Sequence, residues 1–271
     1  MPVDAGAYVA PTAKVDPEAV VGPGTRIGEY CVVERDVVIG PNCLLEPYVY
    51  VKRWTAMGEA NEISAGTVLG TDPLDKNFKG RRSYLRIGKG NKIREHYTIS
   101  RGTAEESETV LGDGNFIMTS GHIAHNCVIG SNCVIASCAL IAGYVEIGDQ
   151  AFISGGIGVH QFSKIGRLAM VGGMSRINKD LPPFFIYMGY KVEARGVNRV
   201  GMKRAGFSRE EIAEVKEAFR LLYRTDLSLE GALREIEERL RSDAAREIVR
   251  FVRASKRGIV RRSGEEDEDD E

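Results

Sequence analysis

The chain has 271 residues, 43% of them hydrophobic and 28% charged, an ordinary globular composition with room for one extended domain or two. Its formal net charge of -1 gives no overall pull toward nucleic acid or an anionic membrane surface. No run approaches the roughly 20 apolar residues of a membrane span, and no basic-then-apolar leader opens the chain, so a cytoplasmic protein without an integral membrane segment is expected.

An internal period organises the chain from its start. From Val9 through Val15, Val21 and Ile27 to Ile177, every sixth residue is aliphatic or methionine, with breaks only at Asp75, Arg81 and Glu105. Six matches neither the period of an amphipathic helix nor simple strand alternation. It reads as short strands joined by turns, each strand sending one side chain into a narrow interior, the pattern of a parallel β-helix. Glycine often follows the aliphatic residue, as at Gly40 and Gly130, where a bend without a Cβ is cheap. The residue four places after it is usually small and includes Cys31, Cys43, Cys127 and Cys133. Packing at a crowded corner explains these thiols. With five cysteines and no C-x-x-C pair, reduced thiols fit better than a zinc ribbon or a disulfide framework.

Two polar segments, 71–85 and 102–109, interrupt the repeat and read as loops thrown out from the coil, where binding residues tend to sit. After Ile177 the period stops, and Pro182-Pro183 marks a change of architecture. Ser208 to Glu211 forms a capping box ahead of a helical pattern through Leu222. Ser228 opens a second helix, and a third runs over 244–254. The expected division is therefore a β-helix over 1–187, a helical domain over 188–262 and a disordered acidic tail over 263–271.

The four histidines, His96, His122, His125 and His160, all fall outside the aliphatic phase and should face away from the core. The repeat resembles that of the hexapeptide-repeat proteins, whose coil of three hexads, or 18 residues, would stack His125, Gly143 and Gln161 in one column. A base, an uncovered backbone N–H and a polar anchor are thereby placed side by side. Zinc ligation by outward histidines is the competing reading. The hexapeptide-repeat carbonic anhydrases, which the chain resembles in fold, place two such histidines five apart, whereas His122 and His125 are three apart, and no metal is expected.

The segments Gly121 to Cys127, Val159 to Phe162, Gly196-Val197-Asn198 and Gly201 to Ser208, with Ile93 to Glu95 and Arg101 to Thr103, carry a resemblance. Over roughly residues 1–262 the chain resembles the UDP-N-acetylglucosamine O-acyltransferases, hexapeptide-repeat enzymes of the first step of lipid A biosynthesis. That resemblance implies a left-handed parallel β-helix, a homotrimer and no cofactor beyond an acyl-acyl carrier protein co-substrate. It implies acyl transfer from the carrier protein to the 3-position of a UDP-sugar. His125 would be the general base and Gly143 N–H the oxyanion donor. His122, His160 and Gln161 would hold the sugar and diphosphate, Asn198 and Arg204 the nucleotide, and Asp75 would contact substrate from its loop. Met170 and Gly173 would bound the acyl pocket.

The chain departs from that pattern at several places. Asn126 stands where the family commonly has an acidic residue, Tyr144 and Ser100 where it has histidines, and Leu74, Asn77, Val200 and Ala205 where it often has Gln, Lys, Glu and Arg. A 3-amino sugar analogue is therefore an alternative acceptor. An acetyl-CoA-dependent nucleotide-sugar transferase and an inactive binding scaffold are the competing functions. A late cluster of basic residues, Lys203, Arg204, Arg220, Arg224, Arg250, Arg253, Lys256, Arg257, Arg261 and Arg262, is a candidate docking surface for an acidic carrier protein.

Overall fold

The computed structural model describes residues 3–260; the acidic stretch, with Arg261 and Arg262, lies outside them. Strands mostly two residues long pair in parallel with strands one coil away and build three flat faces. The first face runs from Tyr8–Val9 to Met170–Val171, the second from Lys14–Val15 to Arg176–Ile177, and the third from Val20–Val21 to Lys164–Ile165. The coil is the left-handed parallel β-helix.

The aliphatic phase is the core. Ile27, Leu45, Ile63, Ile93, Ile99 and their equivalents are fully buried, each contributing about 1.5–3 kcal/mol of transfer free energy. Tyr8 pairs with Arg26, 18 residues on, but Glu62 pairs with Lys92 and Lys92 with Phe116. The two longer spacings hold the external loops, and both remain multiples of six, which is why the phase survives them. All three breaks in the phase fall in these loops. The loops are shorter than the sequence suggested, at 72–83 and 101–107. Thr71 pairs with Ser100, and Tyr84 and Leu85 with Glu108 and Thr109, so the strands grow into the expected loop ends.

The turns correct one expectation. Gly40 does not bend the chain through a special φ; a Cβ there would stand 2.5 Å from the Gly58 carbonyl carbon on the next coil. Close stacking of backbones excludes a side chain. The left-handed conformation falls elsewhere in the turn, often on non-glycine residues such as Tyr30, Tyr48, Asn126, Tyr144 and Phe162. One coil apart, Tyr30 stacks on Tyr48, and Tyr144 on Phe162.

At the corner between the third and first faces a buried ladder satisfies backbone donors. Asn91 donates through its N–H and its amide to Asn61 Oδ1, Asn115 does the same to Asn91 Oδ1, and Cys133 N–H closes the series on Asn115 Oδ1. The four corner cysteines are buried, and burial pushes the Cys127 thiol up to about 12 and that of Cys133 to about 11. They stay protonated thiols.

Beyond Ile177 the coil is capped. Buried Asp180 accepts from Lys164 N–H and from Ser255 Oγ, tying the end of the last helix to the last coil. Strand Phe185–Met188 joins the first face, and Glu193–Val197 returns antiparallel to it, so the division placed at 187/188 falls inside a strand. Among the described residues four helices follow: α1 (Arg199–Arg204), α2 (Arg209–Tyr223), α3 (Leu229–Arg239) and α4 (Asp243–Ala254). The Ser208 capping box forms as read, and Ser228 and Ser242 cap α3 and α4. Helix α2 sets Phe219 and Tyr223 edge-on to Phe185. Arg167 lies over Phe184 and Phe207 and forks onto Glu247, fastening the helices to the coil.

Candidate active site

Several of the expected site residues gather because one corner, between the second and third faces, repeats through five coils. Successive coils place there the loop 72–83, the loop 101–107, His125-Asn126, Gly143-Tyr144 and Gln161-Phe162. The column inferred from a step of 18 is present. The His125 imidazole lies over Gly143 so closely that a Cβ at 143 would fall 2.4 Å from its Cε1 and 2.7 Å from its Nε2. Gly143 is thus the seat of the ring, and its N–H finds no acceptor among the described residues.

His125 points out of the coil, yet it is only 5% exposed, because Tyr144 stands edge-on to it at 5.2 Å between centroids. Its Nδ1 lies 3.1 Å from Asn126 Oδ1, which also accepts from the Thr103 N–H and hydroxyl. A backbone N–H can only donate, so the amide oxygen, not the amide nitrogen, faces Nδ1. Nδ1 then carries the hydrogen and Nε2 keeps its lone pair, the state a base needs.

His122 and His160 line a shared groove of about 500 Å³ on the second face, with Leu140, Ala142, Gly158 and Arg176. His122 Nδ1 bonds Thr98 Oγ1 at 2.7 Å, while its buried Nε2 has no partner among the described residues. Burial, aided by neighbouring His125, lowers the pKa of His122 and favours neutral imidazole. His160 Nδ1 donates to the Gln161 carbonyl. Arg176 was missed in the sequence; a step of 18 from His122 through Leu140 and Gly158 leads to it.

Asp75 sits on the 72–83 loop, where it accepts from Asn77 N–H. The loop is anchored by Arg101, which is 4% exposed, lies between the Trp54 and Phe78 rings, and pairs with Asp72. Other expected site residues lie apart. Asn198 caps α1, its amide oxygen accepting from Gly201 N–H and its nitrogen donating to the Leu168 carbonyl; both ends are engaged within the chain. Arg204 is exposed on the last turn of α1. Met170 faces outward on the first face between Phe152 and Ile186, and Gly173 lies in the turn from the first to the second face. One chain therefore holds the His125 column and the two acyl-pocket candidates on different edges. Among the described residues no three His, Cys, Asp or Glu side chains group as metal ligands.

The family model described as Udp N-acetylglucosamine O-acyltransferase, Domain 2, matches residues 180–260, and that of the bacterial transferase hexapeptide (six repeats) matches 108–143. The acyl-acyl carrier protein-UDP-N-acetylglucosamine O-acyltransferase of Verminephrobacter eiseniae is 40% identical over 259 residues, 93% of this chain and 99% of its own. The chain belongs to this O-acyltransferase family.

The enzyme of the same name from Gloeothece citriformis is 46% identical over 70% of this chain and 68% of its own. A crystal structure of a Bacteroides fragilis UDP-N-acetylglucosamine acyltransferase superposes with a TM-score of 0.92 at 36% identity, covering 94% of this chain and all of the other. Within this O-acyltransferase, two departures noted in the sequence, Asn126 and Tyr144, meet through Thr103, whose hydroxyl lies 2.9 Å from Tyr144 OH. Ser100 is buried against Thr71, and Leu74 and Val200 are exposed.

Proposed function

We propose that the protein transfers a (3-hydroxy)acyl chain from the thioester of an acyl carrier protein to the 3-position of UDP-N-acetylglucosamine, the first step of lipid A biosynthesis. The observation that carries this reading is the bare Nε2 of His125 seated over Gly143, at the corner that also bears both external loops. His125 Nε2 takes the proton of the 3-hydroxyl as its oxygen attacks the thioester carbonyl. Gly143 N–H holds the developing oxyanion. When the intermediate collapses, the C–S bond breaks and the imidazolium returns the proton to the carrier thiolate.

His122, His160, Gln161 and Arg176 hold the sugar and diphosphate in and beside the groove, and Asp75 approaches from its loop. Met170 and Gly173 limit the acyl chain; their place on another edge calls for a second copy of the chain, as in a homotrimer with sites between subunits. Arg204 is free to reach the nucleotide, whereas Asn198 acts by holding α1 in place. Lys203, Arg204, Arg250 and Lys256 are exposed cations that form no ion pair among the described residues, and they suit an acidic carrier protein. Arg220 and Arg253 of the same cluster are already paired with Glu217 and Glu237. No helix among the described residues is long and apolar enough to cross a membrane.

The test is incubation with UDP-N-acetylglucosamine, its 3-amino analogue and hydroxyacyl carrier proteins of several chain lengths. Transfer to either sugar is the expected result, and the preferred sugar names the acceptor atom. Transfer to neither, with a carrier active in a control enzyme, overturns the reading.

A further inference from the structure

We propose that Thr103, on the second external loop, is a positioning residue that selects the reactive tautomer of His125 by fixing the orientation of the Asn126 amide. The proposal rests on His125 being the base. An asparagine beside a histidine is ambiguous in a way that a carboxylate is not. Turned one way its oxygen accepts from Nδ1–H and leaves Nε2 bare. Turned the other way its NH2 donates to Nδ1, and the proton moves to Nε2, where it blocks the base.

The structure removes that ambiguity from outside the dyad. Thr103 N–H reaches Asn126 Oδ1 at 3.0 Å and Thr103 Oγ1 reaches it at 2.9 Å, both as donors. The hydroxyl proton is thereby assigned, so at 2.9 Å the Tyr144 OH donates to Thr103 Oγ1. The resulting order, Tyr144 to Thr103 to Asn126, with His125 Nδ1–H as a third donor to the same oxygen, has one consistent arrangement of protons. The backbone is held as well: Asn126 N–H donates to Oγ1 of buried Thr109, on the strand that follows the loop. The loop and the strand after it thus hold Asn126 from both sides, and Asn126 sits in a left-handed turn conformation. Flipping the amide would set its NH2 against the Thr103 N–H, which can only donate, and oblige the Thr103 and Tyr144 hydroxyls to reverse, a cost on the order of one lost hydrogen bond.

The experiment uses the full chain labelled with 15N-histidine, the His125 signals being assigned by their loss in His125→Ala. In the unmodified protein the expected form has Nδ1 protonated and Nε2 bare; a predominant Nε2–H form overturns the proposal. Thr103→Val keeps the backbone donor and the shape but removes the hydroxyl. It is expected to raise the Nε2–H population and to lower kcat about 10-fold, with KM for the sugar nucleotide within about twofold, while Thr103→Ser restores both. In an Asn126→Asp background, where either carboxylate oxygen accepts, Thr103→Val is expected to cost less than about twofold. An equal loss in the two backgrounds, or an unchanged tautomer ratio in Thr103→Val, overturns the proposal. The tautomer readings need no substrate. If the expected shifts appear but no sugar is acylated, the acyl-transfer reading falls and the orienting role of Thr103 stands.

Discussion

Two corners of the coil are made by the same turn and use polar side chains in opposite directions. Between the third and first faces the left-handed positions of the middle coils are held by small residues, Ala60, Gly90 and Gly114, and the asparagines that follow, Asn61, Asn91 and Asn115, point inward and satisfy backbone donors. Between the second and third faces the left-handed positions include Asn126, Tyr144 and Phe162, and the polar groups stand outside the coil. A polar residue four places after the core aliphatic is captured by the fold; one two or three places after it is left for chemistry. Direction, more than residue type, separates a structural corner from a reactive one.

His125→Ala tests the contrast most severely. It should lower the rate of acyl transfer about 10³-fold while leaving the melting temperature and the assembly unchanged, as measured by turnover and by light scattering. At the other corner the effects should exchange places. Asn91→Ala leaves buried donors on Asn115 without an acceptor and should cost roughly 3 kcal/mol in denaturant unfolding, with kcat of the folded enzyme kept. Gly143→Ala should move the imidazole off its seat and cost about 100-fold in kcat with little loss of stability, since His125 faces outward; a crystal structure of the variant would show the displaced ring.

A smaller effect is expected at Arg101. Arg101→Gln frees the 72–83 loop, so trypsin should cut faster at Lys76, Lys79 and Arg81, and KM for the sugar nucleotide should rise about 10-fold. The smallest concerns pH. Burial lowers the pKa of His122 in the folded state, so the unfolded chain binds the extra proton first. The stability this group supplies is present above its ordinary value of 6.5 and is lost as pH falls below it. His122→Asn should flatten the fall in melting temperature as pH drops below about 6.5.

The repeat made the coil legible because every hexad carries the same instruction, and a step of 18 was enough to place Gly143 under His125. Beyond the repeat, legibility depended on whether a signal was local. The Ser208 capping box spans four residues and could be read directly, whereas the hairpin Phe185–Met188 with Glu193–Val197 was not marked by any period. The contacts of Thr103 with Asn126 and of Arg101 with Trp54 run between a loop and another coil. Their partners are set by the path of the loop, which periodicity does not encode. Asn198 shows the opposite limit: its motif was visible, but its engagement in capping α1 was not.

The uniform pairing of residues 18 apart also makes the first coils interchangeable units of height. Each touches only its neighbours, and the first external loop leaves the stack above them. Excising one whole coil, such as residues 22–39, should shorten the molecule by a single layer and leave the loop, the His125 column and the helices in the same mutual arrangement. Read this way, the amino-terminal third of the chain is a plinth whose height sets how far the reactive corner stands from anything that holds the base.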